Sequence, residues 1–179
     1  IEEAGIGIDV CTGGELAVAL AAKFPPDRIE VHGNNKSEEE IISAIEVGVA
    51  KIVIDSMQEI ERVDRIAKAA NKVQKVLLRI TPGVEANTHE AISTAHEDVK
   101  FGFSIASGAA WKAINAAQSA ANLSLEGLHC HIGSQIFENE GFILATKRLL
   151  ELSAKFRDEF KSELSELDLG GGYGIAYLA

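Results

Sequence analysis

Polar residues capable of chemistry follow short apolar segments at six places along this sequence. Each segment is rich in valine, isoleucine or leucine. In a parallel α/β fold the carboxyl ends of all strands share one face, which carries the functional site. Any one of these residues could instead cap a helix or close a turn, but six in succession favour a site. The candidates are Asp9, then His32 with Asn34 and Asn35, then Asp55, then Arg79 with Thr81, then His129 with His131 and Ser134, and finally Asp168 with Gly170, Gly171 and Gly172.

Three successive glycines, Gly170, Gly171 and Gly172, follow the last apolar segment. Glycine lets backbone N–H groups approach an anion without obstruction by Cβ, and loops after the last strands of a barrel often bind phosphate. The sequence after them contains no Gly-Lys-Ser/Thr of a Walker loop, and the dinucleotide-binding spacing is absent as well. The glycines therefore indicate either a different kind of phosphate site or only a tight turn.

The run His129-Cys130-His131 suggests a metal site, because alternate residues of a strand point to the same side. No carboxylate or thiol cluster at ligand spacing completes the set, so we expect no metal. Cys11 and Cys130 form neither a metal-binding nor a disulfide pattern. A cysteine nucleophile is also not favoured, because buried thiols are mostly inert.

The apolar segments predict six short buried strands separated by helices. Asp9 to His32 and His32 to Asp55 are each 23 residues, which suits a strand, a helix and two short loops. This alternation predicts a parallel sheet with helices outside it. A closed (β/α)₈ barrel and an open doubly wound sheet both fit the spacing. The predicted strands cover residues 6–10, 29–32, 51–55, 75–81, 125–131 and 167–170.

Amphipathic stretches between the strands carry helix start signals. Ser37 with Glu40, and Ser56 with Glu59, have the spacing of a capping box. Residues 82–100 lack a clear period, and a loop of that length in a compact domain is usually functional or mobile.

Composition limits the classes of function. The 179 residues carry a net charge of −10, which argues against a nucleic-acid partner, and 46% of them are hydrophobic, which suits one globular domain over residues 1–179. No apolar run approaches the roughly 20 residues that span a bilayer, so we expect no membrane partner. We expect a cytoplasmic protein, or a plastid one in a plant. The sequence begins with Ile1 and not Met, opens inside the strand-like run Gly5-Ile6-Gly7-Ile8 and ends at Ala179 straight after a glycine-rich turn, so we also expect a piece of a longer chain.

Five blocks of residues resemble the pyridoxal-phosphate-dependent decarboxylases of fold type III, and among them those that act on diaminopimelate. They occur in the family's order and span almost the whole chain. His131-Ile132-Gly133-Ser134 alone would indicate only the wider group, which includes ornithine and arginine decarboxylases. The blocks are Asp9 to Glu15, His32 to Lys36, Lys100 to Phe103, Gly127 to Gln135 and Leu167 to Gly172.

The resemblance implies a (β/α)₈ TIM barrel of the alanine-racemase type, of which this chain supplies the second to seventh strands. The family's first strand carries the lysine that forms a Schiff base with pyridoxal 5′-phosphate, and we expect that strand before Ile1. We expect the eighth strand and a C-terminal β-domain beyond Ala179. The chain alone is then expected to be inactive.

The resemblance also implies residue roles around the cofactor. His131 would stack on the pyridine ring, with a catalytic role in orienting it. Ser134 and the backbone of Gly170, Gly171 and Gly172 would hold the phosphate.

Further roles concern charged groups near the cofactor. Asp9 would be a catalytic residue beside the Schiff-base lysine, and Arg79 with Glu15 would form a charged pair close to the cofactor. His89 is a further candidate in the long loop, where Ala95 departs from the glycine that the family pattern leads us to expect.

The implied reaction is that of a carboxy-lyase: the full-length protein, expected to be a homodimer, would decarboxylate meso-2,6-diaminopimelate to L-lysine in lysine biosynthesis. Two alternatives stay open. One is a decarboxylase of the same fold acting on arginine or ornithine, and the other is a non-catalytic regulatory protein that binds pyridoxal phosphate. The sequence upstream of Ile1 would separate an enzyme from a regulatory protein.

Overall fold

The computed structural model describes residues 2–84 and 100–176 of the chain. His89 and Ala95 lie outside the described residues. The strands are β1 (Ile8–Val10), β2 (Ile29–Val31), β3 (Lys51–Ile54), β4 (Gln74–Thr81), β5 (Phe103–Ser104), β6 (Leu123–His129) and β7 (Glu166–Asp168). The α-helices are α1 (Gly13–Ala21), α2 (Glu38–Val47), α3 (Met57–Ala69), α4 (Ala109–Ser119) and α5 (Glu140–Phe160).

All six predicted strands are present, and each observed end lies within two residues of its predicted position. The short strand β5 was not predicted. Every strand pairing is parallel, and the strand order is β1-β2-β3-β4-β6-β7, with β5 paired to the end of β4. The order follows the chain without the reversal that defines a doubly wound sheet, so the open alternative is wrong and the arrangement is that of a barrel wall.

The helices begin where the capping signals predict. Ser37 and Glu40 form a reciprocal capping box at the start of α2, and Thr12 forms a similar box with Glu15 at the start of α1. The Ser56 hydroxyl accepts from the Glu59 backbone N–H at the start of α3. These bonds satisfy N–H groups that the first turn of a helix leaves without partners. No helix in the described part of the chain is long and apolar enough to cross a membrane.

The strands alternate between an outer face that packs on helices and a concave inner face. Ile52 and Ile54 of β3 and Val76 of β4 are buried in the apolar core shared with the helices. The residues between them in sequence point to the other side of the sheet, because successive side chains of a strand alternate. That inner face carries many of the charged residues of the strands, including Glu30 and Lys51.

An ion-pair cluster on the inner face shows that the sheet is curled. The Lys51 ammonium lies 2.6 Å from the Glu30 carboxylate of β2 and 2.8 Å from the Glu166 carboxylate of β7. In a flat sheet, β3 and β7 would be three strand spacings apart, or about 14 Å. One lysine can contact both carboxylates only because the sheet bends toward its inner face.

The close approach of β6 and β7 requires a glycine at position 127. Gly127 is paired with Glu166, and a Cβ at residue 127 would lie 2.2 Å from the Glu166 carbonyl oxygen. Any side chain here would push β7 away from β6.

We predict that Gly127→Ala lowers the free energy of unfolding by about 2–3 kcal/mol, because the added methyl group collides with backbone. The matched control is Gly14→Ala in α1, where the nearest atom to the added Cβ is the Thr12 hydroxyl oxygen at 3.8 Å. That variant is expected to gain about 0.5–1 kcal/mol, since alanine is favoured over glycine in a helix. Urea unfolding of both variants is the measurement, and equal stabilities would contradict the assigned strand contact.

Candidate active site

Strand register aligns three polar side chains in one row at the carboxyl ends of β4, β6 and β7. Arg79 is paired with His129, and His129 is paired with Asp168. The His129 Nε2 atom lies 3.9 Å from the Asp168 carboxylate. The three residues are far apart in sequence, so parallel pairing alone brings them together.

A second group reaches the same place from β1 and β2. The Asp9 carboxylate lies 3.5 Å from the His32 Nε2 atom, and the rings of His32 and His129 meet edge to face with their centroids 5.0 Å apart. The nearby His32 ring is the main cause that lowers the pKa of Asp9. Asp9, predicted from its place at a strand end, therefore belongs to one continuous inner-face cluster with His129.

This cluster contains three groups at metal-ligand spacing. Ligand atoms of Asp9, Glu30 and His32 lie within 4.8 Å of one another. The Lys51 ammonium already lies 2.6 Å from the Glu30 carboxylate and neutralises it. The carboxylate of Glu30 therefore already has a cation partner, and the expectation of no metal stays a prediction.

The two histidines of β6 and its following loop have different surroundings. His129 is 3% exposed, and burial lowers its pKa to about 3. Its Nδ1 atom has no hydrogen-bond partner among the described residues. His131 is exposed, and its pKa is lowered first by partial burial and then by the positive charge of Arg79. Both imidazoles are therefore neutral near pH 7.

The three glycines differ in what they require. Gly170 and Gly172 have positive φ angles of 67° and 98°, and an added Cβ would lie 2.6 Å from the Cys130 carbonyl oxygen and 1.9 Å from the Gly133 carbonyl oxygen, respectively. A Cβ on Gly171 would meet no atom within 4 Å. Gly170 and Gly172 are thus needed for the path of the chain, while Gly171 borders open space.

Backbone hydrogen bonds fix which N–H groups this loop can offer to a ligand. The Gly170 N–H donates to the Asp168 carboxylate at 2.7 Å. Within residues 2–84 and 100–176, the N–H groups of Gly171 and Gly172 have no such acceptor. A ligand anion could therefore be bound by the latter two groups, whereas the Gly170 N–H already donates to Asp168, and the phosphate role of Gly170 stays a prediction.

The loop after β6 lies against the glycines. The Ile136 N–H donates to the Gly172 carbonyl at 2.9 Å, and the Gly174 N–H donates back to the Ile136 carbonyl at 2.8 Å. Ser134 is exposed, and its Cα would lie 3.4 Å from a Cβ on Gly172. The fold thus brings Ser134 and the glycine loop together, and their phosphate-binding role stays a prediction.

The predicted pairing of Arg79 with Glu15 is not formed in the structure. The Arg79 guanidinium lies 3.5 Å from the Asp55 carboxylate and 4.4 Å from the centroid of the Phe101 ring. The Glu15 carboxylate instead accepts from the backbone N–H groups of Cys11 and Thr12, at 2.6 Å and 3.1 Å. A glutamate three residues after the N-cap is held by its own helix start, which sequence separation alone does not reveal.

Lysines of the chain are held in different ways. Lys36 is 2% exposed and donates to Glu59, Gly33 and Val53, while Lys51 lies at the amino end of β3. Lys100 is exposed, with its ammonium 5.0 Å from the centroid of Phe101. Neither Lys36 nor Lys51 is presented at the carboxyl-end face as a free amine.

The two thiols are not activated. Burial raises the pKa of Cys130 to about 12, and burial is also the main cause that raises the pKa of Cys11. A thiolate is the nucleophilic form of cysteine, so neither residue is set up to act as a nucleophile near pH 7.

Comparison with known proteins identifies the class that this fold and site define. A sequence model of the family "Pyridoxal-dependent decarboxylase, pyridoxal binding domain" matches residues 1–179. The chain belongs to this family of pyridoxal-dependent decarboxylases.

Individual relatives narrow the class further. The chain is 53% identical to diaminopimelate decarboxylase of Corynebacterium efficiens over 179 residues, covering all of this chain and 39% of the relative. It is 56% identical to the enzyme of that name from Mycobacterium tuberculosis over 182 residues, covering 99% of this chain and 41% of the relative. The chain thus spans about two fifths of the length of these relatives.

Solved structures agree with this assignment. The crystal structure of diaminopimelate decarboxylase from M. jannaschii in complex with L-lysine superimposes with a TM-score of 0.88 at 37% identity. The match covers 99% of this chain and 41% of that one. The predicted barrel fold of the pyridoxal-dependent decarboxylases is therefore confirmed. The curled sheet of this chain forms one part of the barrel.

We predict that His129 makes the stability of the fold depend on pH in the acidic range. Its pKa is about 3 in the fold against an ordinary 6.5, so between these values the unfolded chain binds a proton that the folded chain does not. The contribution is fully present above pH 6.5 and is lost as the pH falls toward 3, at about 1 kcal/mol per pH unit.

The measurement is urea unfolding of the parent protein and of His129→Asn across that range. The variant lacks the titrating ring, so its free energy of unfolding is expected to fall less steeply on acidification. Parallel curves for the two proteins would show that His129 is charged in the fold.

Proposed function

We propose that this chain is the cofactor-binding part of a longer polypeptide that decarboxylates meso-2,6-diaminopimelate to L-lysine. The observation that carries the proposal is the contact of His131 with the glycine loop. A Cβ on Gly170 would lie 3.0 Å from the His131 Nδ1 atom, so the imidazole packs directly on the start of that loop. This contact supports the proposal that a stacking group and an anion-binding group lie side by side at the carboxyl ends of parallel strands.

The residues present fit the phosphate of pyridoxal phosphate. The N–H groups of Gly171 and Gly172 and the hydroxyl of Ser134 would hold it. Backbone N–H groups bind an anion well where no side chain blocks the approach, and the open space beside Gly171 meets that condition.

The residues present also fit the ring of the cofactor. His131 is exposed at this face and has a lowered pKa, so a neutral imidazole would stack on the pyridine ring without repelling its positive charge. When bound, pyridoxal phosphate supplies an electron sink for the electron pair left as carbon dioxide departs. His131 would orient the ring, and Asp9 with His32 would hold a negative charge beside it.

The relatives support the choice of substrate. Proteins named diaminopimelate decarboxylase share 45–56% identity with this chain, and similar crystal structures from M. jannaschii and Helicobacter pylori contain L-lysine, the product of that reaction. We further propose that the longer polypeptide works in the cytoplasm as a homodimer, with the Schiff-base lysine supplied from outside the described residues.

The test of this function is decarboxylation by the longer polypeptide. Release of carbon dioxide from meso-2,6-diaminopimelate, with pyridoxal phosphate bound and L-lysine formed, is the expected result. Equal release from arginine or ornithine would favour the related decarboxylases. Binding of pyridoxal phosphate without any release would favour the regulatory alternative.

The same assay on residues 1–179 alone is expected to show no release. Borohydride reduction in the presence of pyridoxal phosphate, followed by mass spectrometry, would identify any modified lysine. A single dominant pyridoxyl-lysine together with carbon dioxide release would contradict the need for a lysine from elsewhere.

We predict that Gly171→Val in the longer polypeptide weakens pyridoxal phosphate by about tenfold or more, which corresponds to 1.4 kcal/mol or more. The valine would occupy the open space beside the proposed phosphate position. Phosphate-free pyridoxal is the matched control ligand and should lose little affinity. Equal losses for both ligands in a spectroscopic titration would indicate a general disturbance of the fold instead.

A further inference from the structure

We propose that a buried ion pair, Lys36 with Glu59, positions the guanidinium of Arg79 at the cofactor face by acting through Asp55. The inference rests on the proposed function, because the face in question is the proposed pyridoxal phosphate site. Lys36 and Glu59 would be positioning residues, since neither reaches that face itself.

Lys36 joins three separate parts of the chain. Its side chain is buried, and its ammonium donates to the Gly33 carbonyl at 2.5 Å, to the Val53 carbonyl at 2.7 Å and to the Glu59 carboxylate at 3.0 Å. An ammonium has three protons, so all of them are used. The loop after β2, the backbone of β3 and the first turn of α3 are thereby fixed relative to one another.

Glu59 connects Lys36 to the backbone of Asp55. One of its carboxylate oxygens binds Lys36, and the other accepts from the Asp55 backbone N–H at 2.7 Å. Glutamates stand at the same helical position in α1 and α2, where Glu15 and Glu40 complete capping boxes without an ion pair among the described residues. Capping a helix therefore does not require a buried lysine, and the pair in α3 needs a further explanation.

Asp55 connects the pair to Arg79. Its side chain is buried, with one oxygen 3.5 Å from the Arg79 guanidinium and the other accepting from the Gly102 N–H at 3.1 Å. The guanidinium lies between this carboxylate and the ring of Phe101, whose centroid is 4.4 Å away. Asp55 thus holds Arg79 on one side while Phe101 limits it on the other.

The position of Arg79 matters for the proposed site. Its positive charge is one of the causes that lower the pKa of His131 and of His129. It would therefore help to keep the stacking imidazole of His131 neutral against a positively charged ring. If Arg79 moved away from this position, that electrostatic support would weaken.

The energetics of the pair favour a positioning role. Lys36, Glu59, Asp55 and Arg79 carry two positive and two negative charges, so the group is neutral as a whole. A buried ion pair adds little net stability compared with apolar residues of the same volume, because both charges lose their hydration. Burial accordingly lowers the pKa of Lys36 and raises that of Glu59. What the pair adds in this chain is a set of directional contacts that join the loop after β2, the backbone of β3 and Glu59.

The test is a double-mutant cycle on the affinity of the longer polypeptide for pyridoxal phosphate, measured by spectroscopic titration. The pair is replaced by Lys36→Met with Glu59→Gln, which removes both charges together and keeps an acceptor for the Asp55 N–H. This double change is made in the parent and in an Arg79→Gln background. Thermal unfolding of each cofactor-free protein is recorded in parallel.

The pair replacement is expected to weaken pyridoxal phosphate by about tenfold in the parent and by less than about twofold in the Arg79→Gln background. The matched control is Glu38→Gln, which breaks an exposed ion pair between α2 and Arg65 of α3 and should leave affinity unchanged. Equal losses in both backgrounds, or no loss in the parent, would overturn the positioning role.

A second variant covers the case in which the pair replacement does not fold. Asp55→Asn leaves Lys36 and Glu59 in place and removes the charge that contacts Arg79 together with one of the two acceptor oxygens, and the same background dependence is expected. A parent polypeptide that fails to bind pyridoxal phosphate would contradict the proposed function. Normal binding by the parent with equal losses in both backgrounds would contradict only this inference.

Discussion

The curl of the parallel sheet is the constraint on which the rest of this structure depends. Lys51 connects β2, β3 and β7 across the inner face, and Gly127 allows β7 to lie close against β6. Because the sheet bends, side chains from strands that are not neighbours can touch. The edge-to-face contact of His32 with His129 is one result, since two strands separate β2 from β6. A flat sheet of the same strands would have the same residues without a common site.

The curl also decides how charges on the inner face must be arranged. Inward-pointing carboxylates and cations lose water and need partners, which is why the polar side chains there occur as pairs and rows. Asp9 meets His32, and Asp55 meets Arg79. His129 is instead neutral, because burial lowers its pKa to about 3. A neutral ring at the centre of the cluster avoids placing another cation beside Arg79.

Much of the fold could be predicted from local signals, whereas the contacts within the site could not. Apolar segments marked the six main strands, and Ser37 with Glu40 marked the start of α2, because strand burial and capping are properties of neighbouring residues. The two-residue strand β5 escaped notice because so short a segment has no period. The family resemblance implied a pairing of Arg79 with Glu15, but Arg79 contacts Asp55 instead. Glu15 is held by the start of its own helix, a contact that the resemblance did not reveal. The ion pair of Glu59 with Lys36 was missed for another reason. The spacing of Glu59 from Ser56 already explained this glutamate as a helix-capping residue.

Binding of a phosphate by an acidic chain requires that the local field differ from the net charge of −10. Backbone N–H groups provide such a field without a charged side chain, and the glycine loop concentrates them where the fold leaves open space beside Gly171. Two other cations contribute less, since Lys51 of the inner face is neutralised by Glu30 and Glu166, and the buried Lys36 is neutralised by Glu59. Arg79 is the cation whose effect extends to His131, and its carboxylate partner lies on the side away from solvent at 7% exposure. The proposed site thus combines uncharged N–H donors for the phosphate with one oriented cation near the ring. Neither the donors nor the cation requires a basic protein surface, so the negative net charge of the chain does not oppose this arrangement.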